Sequence, residues 1–427
     1  MSPNSISRYH SINAYFTFAC FALPVAGAVS SFNVNGGALV GLVAVCTGFI
    51  AISRDREMVL LGAAIYAYSL FYLASFAANP VTSQSLRYLP EILTFLMFPF
   101  LYSGWSISNK ATIARCVVMA SMVACYAALC VAAVQFHMFG MRAQGGAGNP
   151  IVFANVTCVA ASLSLAGVFS QERKWAWPLV GAFAAGACAM LYSGSRIGWV
   201  ALVAATTCVL YINRKTIRTR ISPRIVAAAA IAIASVVIVG FETISIRAAA
   251  LLEDWGQLSQ HGNYNTSLGH RAGLWEVGFD LAREAPLLGH GPQSTRGLIT
   301  EGLRDYGIKK RFTHFHNGFL TAMVETGIFG ALSLAAIFLI AAQNARRTLK
   351  ANRNPAETLG AVLLVVVVVT YLVMGTTGIL VGHDILDSML VACLAAGTFL
   401  SAGTPGAGQA RPAAQQAEHD RQRALIG

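Results

Sequence analysis

Charge is what this chain has least of. Among 427 residues only 18 are acidic and 30 basic, 11% in all, while 56% are hydrophobic. A water-soluble domain carries about 25% charged residues, so this sequence cannot cover an ordinary water-facing surface. Other signatures are missing too. There is no Cys-x-x-Cys and no Cys/His spacing suited to a metal. There is no P-loop or dinucleotide fingerprint, so no nucleotide site is expected. No internal repeat or pair of pseudo-symmetric halves is evident. The nine cysteines all fall in apolar stretches (Cys20, Cys46, Cys116, Cys125, Cys130, Cys158, Cys188, Cys208, Cys393). They read as packing residues rather than as a disulfide framework.

What is present is a near-continuous series of apolar segments, each close to the roughly 20 residues that cross a bilayer. The first runs to about Val29 and the second begins near Gly37; that second segment argues against a cleaved signal peptide. Others lie near Met58–Ala78, Ile92–Tyr102, Ile113–Met138, Ile151–Phe169, Leu179–Tyr192, Ile197–Ile212, Ile225–Ile244, Gly318–Ala342, Thr358–Val373 and Ile385–Leu400. The expectation is an all-α, polytopic integral membrane protein with about 12 transmembrane helices.

The net charge of +12 invites a nucleic-acid reading, but the positions of the charges oppose it. Basic residues gather in alternate short loops: Arg54 and Arg56, Lys110 and Arg115, Arg173 and Lys174, Arg214 to Arg224, Arg346 to Arg353. The loops between them hold single cations, Arg87, Arg142 and Arg196, or none. That alternation is the positive-inside pattern, and it places both termini in the cytoplasm with no nucleic-acid partner.

The same topology puts one long loop outside, with eight basic and seven acidic residues between Ile244 and Phe315. Within it Arg271–Ala285 has helical periodicity, Pro286 ends that helix, and Gly289, His290 and Gly291 mark a turn. The expected organisation is helices 1–9 over residues 1–244, a periplasmic loop domain of short helices over 245–316, and helices 10–12 over 317–402. A disordered cytoplasmic tail follows over 403–427.

Chemistry is sought among polar residues of the outer face that topology leaves unexplained. Arg196 lies in Ser193-Gly194-Ser195-Arg196-Ile197-Gly198, a tight turn opening a span, against the charge rule. It fits either a side chain snorkelling to headgroups or an anion site at a helix N-terminus. Arg271 follows Gly269-His270 at the start of the loop helix, as a solvated charge or a second anion contact. Arg87 and Arg142 are single cations in uncharged turns and candidate secondary contacts. His314 and His316 follow Lys309, Lys310 and Arg311, whose charge favours neutral imidazole. A lone boundary histidine is more often structural; a neutral one beside guanidinium groups is suited to accept a proton. Glu325 is an ionisable group within a span, nine residues past His316 and so on the opposite helix face. His383, Asp384 and Asp387 read as caps of the last span.

Three stretches in order then carry a resemblance: Ser195-Arg196-Ile197-Gly198; His270-Arg271-Ala272-Gly273-Leu274-Trp275 with Leu288-Gly289-His290-Gly291; and His316-Asn317-Gly318-Phe319-Leu320 running into Val324-Glu325-Thr326-Gly327-Ile328-Phe329-Gly330. Over roughly Gly181 to Ile340 the chain resembles the O-antigen ligase and polymerase superfamily of bacterial membrane glycosyltransferases. The resemblance implies a multi-pass protein of the bacterial inner membrane, working at its periplasmic face without metal or other cofactor and with inversion. The donor would be undecaprenyl-diphosphate-linked O-antigen, the acceptor lipid A–core, and membrane lipids would surround the bundle. By position, Arg196 and Arg271 would clamp the donor diphosphate and His316 would be the base. Arg87, Arg142, Gly289, His290, Gly291, His314 and Asn317 would line the substrate site. The member expected is an O-antigen ligase. The related polymerase and a protein O-oligosaccharyltransferase are the rivals, and a lipid-linked glycan transporter is the rival from another class.

Overall fold

The structure is a computed structural model. It describes residues 55–80, 91–106, 108–220, 249–250, 252–351 and 354–403, with scattered positions at 11–21, 86 and 89. Most of the first expected span, the second, the span Ile225–Ile244, the tail beyond Gly403 and Arg87 lie outside the described residues.

Among the described residues every regular element is helical: α1 (Arg56–Ala78), α2 (Glu91–Leu96), α3 (Phe98–Ser106), α4 (Lys110–His137), α5 (Pro150–Ser170), α6 (Ala176–Ser193), α7 (Arg196–Ile212), α8 (Arg214–Arg220), α9 (Ser267–Glu284), α10 (Thr295–Gly302), α11 (Gly318–Lys350), α12 (Pro355–Gly375) and α13 (Asp384–Ser401). Seven are long and apolar enough to cross a membrane: α1, α4, α5, α6 with the short turn before it, α11, α12 and α13. The chain is therefore a polytopic helical membrane protein. Helix α7 is apolar but shorter, at 17 residues. The short expected span at Ile92–Tyr102 is a broken helix, α2 followed by α3, interrupted at Met97.

Asparagine sets many of the helix starts. Asn109, Asn149, Asn317 and Asn354 each accept hydrogen bonds from backbone N–H groups of the first turn of α4, α5, α11 and α12. Two of these caps precede proline at the first helical positions, where the missing N–H costs nothing. At the end of α6, Gly194 adopts φ 60, which allows the tight turn into α7.

Helices α5 and α13 are almost wholly enclosed by protein, whereas α1, α4, α6 and α11 leave over half of their apolar stretch uncovered. The uncovered side chains include Val123, Val134, Leu191, Leu332 and Leu339. An apolar outer face is what a bundle immersed in hydrocarbon presents, with every backbone polar group paired inside its own helix. The seven described cysteines are free, and all sit within these helices.

Polar contacts mark the two ends of the bundle. At one end Tyr102 Oη donates to Asp55 Oδ2 at 2.8 Å, and Lys110 Nζ lies 3.6 Å from Glu357 Oε1. At the other end α9 and α10 pack against α11 through a small separate core of Leu274, Val277, Ile299, Leu303, Phe315 and Val324. The long loop is thus a folded cap, seated on the start of α11.

Candidate active site

The cap delivers its last residues directly into α11. Asn317 Oδ1 accepts from the N–H groups of Phe319 and Leu320, both at 3.1 Å, so this residue caps the helix. His316 stands one position earlier with φ 50, a left-handed backbone that a non-glycine residue rarely adopts. That turn carries its ring to the loop between α12 and α13, where Nδ1 is 2.9 Å from the carbonyl oxygen of Thr377. A carbonyl can only accept, so Nδ1 holds the hydrogen and Nε2 of the neutral ring keeps its lone pair.

The ring does not stand alone. His270 of α9 meets Phe312 with ring centroids 5.5 Å apart, Phe312 meets His316 at 5.6 Å, and His316 meets His314 at 4.6 Å, all edge-on. A row of four rings therefore joins the start of α9 to the start of α11. Lys310 Nζ lies 5.4 Å from the Phe312 ring centroid.

Both histidines of the segment before α11 favour the neutral form. For His316 burial is the main cause; the Thr377 hydrogen bond works against it, and the charges of Arg271, Lys310 and His270 lower the imidazole further. For His314 burial, then His316 and Arg296, bring the value down to about 4. His270 is also lowered, by burial and then Lys310. The three-cation run was expected to do this work. The structure gives the larger part to burial, with Lys310 as the member of that run that bears on His316. His314 Nδ1 is 3.0 Å from Thr313 Oγ1, while its Nε2 is buried without a partner.

Arg271 is exposed on α9 with its charge felt at His316. Arg196 opens α7 at the same end of the bundle, and a short path of contacts links it to the histidine. A Cβ at Gly198 would lie 3.2 Å from Ala154 Cβ on α5; one turn earlier, Ile151 Cγ2 lies 3.6 Å from the Cβ position of Gly378. Gly378 adjoins Thr377, which holds His316. Ser195, at the N-cap of α7, is only 3% exposed and its hydroxyl has no partner. Arg142 reaches the same turn, where its Nε donates to the carbonyl of Ser193 at 2.8 Å. It thereby satisfies the end of α6 beside Arg196.

Gly289, His290 and Gly291 enter in an unexpected way. Helix α11 is interrupted at Gly327 (φ 71, ψ −174), and the loop turn fills the interruption. His290 N–H donates to the carbonyl of Val324 at 2.8 Å and Gly291 N–H to that of Glu325 at 3.2 Å, while Ile328 N–H donates to Pro286 O at 2.8 Å. Ser75 Oγ of α1 adds a bond to the Glu325 carbonyl at 2.6 Å. A helix break leaves such groups orphaned; here the loop backbone satisfies them. The approach is so close that a Cβ at Gly289 would lie 2.5 Å from Val324 O, and one at Gly327 would lie 2.1 Å from Leu287 O. The His290 ring is also engaged, with Nε2 2.8 Å from Leu281 O.

Of the expected caps of the last span, His383 holds the N-cap position without a side-chain capping bond, Asp384 Oδ1 accepts from Ile385 N–H at 2.8 Å, and Asp387 accepts from Gly382 N–H just before the helix. Among the described residues no group of three or more His, Cys, Asp or Glu is placed to hold a metal ion. Sequence reasoning missed Phe312 and Thr377. Phe312 lies between cations and histidines, and that aromatic spacing was a signal; Thr377 contributes only a backbone atom, so its side chain gives no sign.

Comparison with known proteins adds two findings. Residues 181–335 match the family model described as O-Antigen ligase, a stretch that contains all three motif elements and the broken part of α11. This supports the O-antigen ligase and polymerase superfamily for the chain. An uncharacterized protein of Haemophilus influenzae is 23% identical over 295 residues, covering 67% of this chain and 72% of that protein.

Proposed function

Starting from the superfamily that residues 181–335 carry, we propose that this protein is an O-antigen ligase. It moves finished O-antigen from undecaprenyl diphosphate to lipid A–core at the periplasmic face of the inner membrane. The observation that carries the reading is the neutral His316, its Nδ1–H fixed on Thr377 and its Nε2 left to accept a proton.

In the proposed reaction an acceptor hydroxyl of the core attacks the anomeric carbon of the donor sugar. His316 Nε2 takes the hydroxyl proton as the new glycosidic bond forms. The bond from the anomeric carbon to the diphosphate breaks, and undecaprenyl diphosphate leaves with the electron pair. Direct displacement from one face inverts the anomeric centre. Arg196 and Arg271 hold the diphosphate and stabilise the charge that grows on it; guanidinium suits this because its fork matches phosphate oxygens. The partnerless Ser195 hydroxyl at the start of α7 is placed to join them. Arg142, Gly289, His290, Gly291 and Asn317 serve by shaping this end of the bundle, as their backbone and capping bonds suggest. His314 lines the acceptor side, and Arg87 remains a secondary contact for the donor. No step in the scheme calls on a metal, and transfer should survive EDTA.

The polymerase is the reading this must beat, since the same site would serve either acceptor. Deletion of the gene decides between them. A ligase deletion leaves core-only lipopolysaccharide while long lipid-linked O-antigen accumulates. Core bearing a single repeat unit would instead assign the polymerase.

A further inference from the structure

We propose that Glu325 is a positioning residue for this site and acts as a neutral acid: its carboxyl donates to Thr295, and Thr295 donates on to the backbone that carries the two histidines. The positioning role rests on the ligase reading; the hydrogen-bond chain stands apart from it.

The argument is a count of hydrogens. Thr295 Oγ1 is 2.9 Å from Glu325 Oε1 and 3.1 Å from the carbonyl oxygen of Thr313. Thr295 is 1% exposed, so water does not complete the set. A threonine hydroxyl owns a single hydrogen. If Glu325 were ionised, both flanking oxygens would be pure acceptors, and one of the two contacts would set lone pair against lone pair. With the proton on Glu325 the chain closes: carboxyl O–H to Thr295 Oγ1, then Thr295 O–H to the Thr313 carbonyl. A buried polar group left unmatched keeps its full desolvation penalty, which favours the closed chain. The cation whose charge bears on it is Arg296, exposed on α10 where solvent screens it.

The rest of the surroundings immobilise this carboxyl. Gln293 N–H also donates to it, and the Glu325 main-chain carbonyl is held by Gly291 N–H and Ser75 Oγ. Among the described residues, the non-glycine positions at positive φ are Gln293 (φ 62) and His316 (φ 50). Such conformations persist only where their surroundings over-determine them. Both lie on the segment that Glu325 grips, one at each end. His316 precedes α11 and Glu325 lies within it, so the link between them runs through the loop: Glu325, Thr295, Thr313, then the His314–His316 segment.

The test uses the full-length protein in nanodiscs, with the variants E325Q, E325A, T295V and T295S. Backbone hydrogen exchange over residues 293–316 is one readout. Turnover with undecaprenyl-diphosphate-linked O-antigen and purified lipid A–core is the other. A glutamine amide donates to Thr295 and accepts from Gln293 as the neutral acid does, so E325Q should stay close to wild type in both. E325A and T295V should exchange faster across 293–316 and lose about a hundredfold in kcat with donor KM little changed; T295S should recover what T295V loses. E325Q as impaired as E325A would overturn the neutral-acid assignment. Wild-type exchange in both E325A and T295V would remove the positioning role, and T295V answers that question even if E325A fails to insert. Exchange needs no substrate. A wild-type protein that transfers nothing would therefore sink the ligase reading and leave the chain to be judged by exchange.

Discussion

His316 Nδ1 lies 2.9 Å from the carbonyl oxygen of Thr377, a residue 61 positions further along the chain. The bond makes the tautomer of this ring a property of the tertiary structure, because the α12–α13 loop dictates which nitrogen keeps its lone pair. Replacement of His316 by alanine should abolish transfer, a loss of about 10²–10⁴-fold for a general base. Insertion and donor binding should persist. His314→Ala should be partial. Steady-state transfer alongside binding of labelled donor checks both, and an active His316→Ala protein would force the mechanism onto another group.

Acidity should act on the cap through His314. In the unfolded chain its imidazole takes a proton near 6.5, and in the folded chain near 4. Above 6.5 neither state binds the proton; between those values only the unfolded state does. Stability should thus be level above 6.5 and fall as pH drops towards 4. Resistance of the cap to proteolysis across that range reads the effect, and His314→Gln should make the slope shallower, leaving the part due to His316 and His270.

For the two arginines the expectation is loss of turnover without loss of protein. Arg196→Lys and Arg271→Lys keep the charge but not the planar fork. Each should reduce kcat/KM by about a hundredfold at normal membrane levels. Near-full activity in both would make them interfacial anchors only.

Gly289→Ala and Gly327→Ala each force a side-chain carbon into backbone atoms of the opposing segment and demand a left-handed backbone at an L-residue. Each should destabilise by more than about 1 kcal/mol, read as a lower melting temperature in detergent. Gly307→Ala, equally left-handed but in open space, is the control and should lose less.

Sidedness follows from the loop charges and is tested by labelling. A cysteine at Ser267 should react with a membrane-impermeant thiol reagent in whole cells, and one at Thr216 should not. The opposite pattern would invert the topology and move the site to the cytoplasm.

Much of this was legible in the chain. Apolar length locates the spans, because local composition decides it. Arg196 and His316 could be singled out because polar groups at a membrane boundary are conspicuous, and Arg271 because it opens the periodic helix of the outer loop. The break in α11 could not be read. Gly327 resembles any helical glycine of a membrane span until Pro286 and His290 are known to lie against it, and that meeting is long-range. The same holds for Glu325: a spacing of nine residues suggested independence from His316, while Thr295, from a third segment, bonds to Glu325 and to the carbonyl of Thr313, three residues before His316.

The splint across α11 has a topological consequence. Residues 286–291 and 324–328 are bonded to each other, so the stretch between them leaves the bundle and returns to the same point, a closed excursion with a pinned neck. Within it Gly307 is exposed, with free space where a Cβ would stand. Extra residues inserted there would lengthen a loop whose ends are already joined, at small entropic cost. A peptide epitope or a small reporter domain spliced in at Gly307 should therefore leave the ring row and the neck unaltered, and give the chain a handle on the side from which the cap projects.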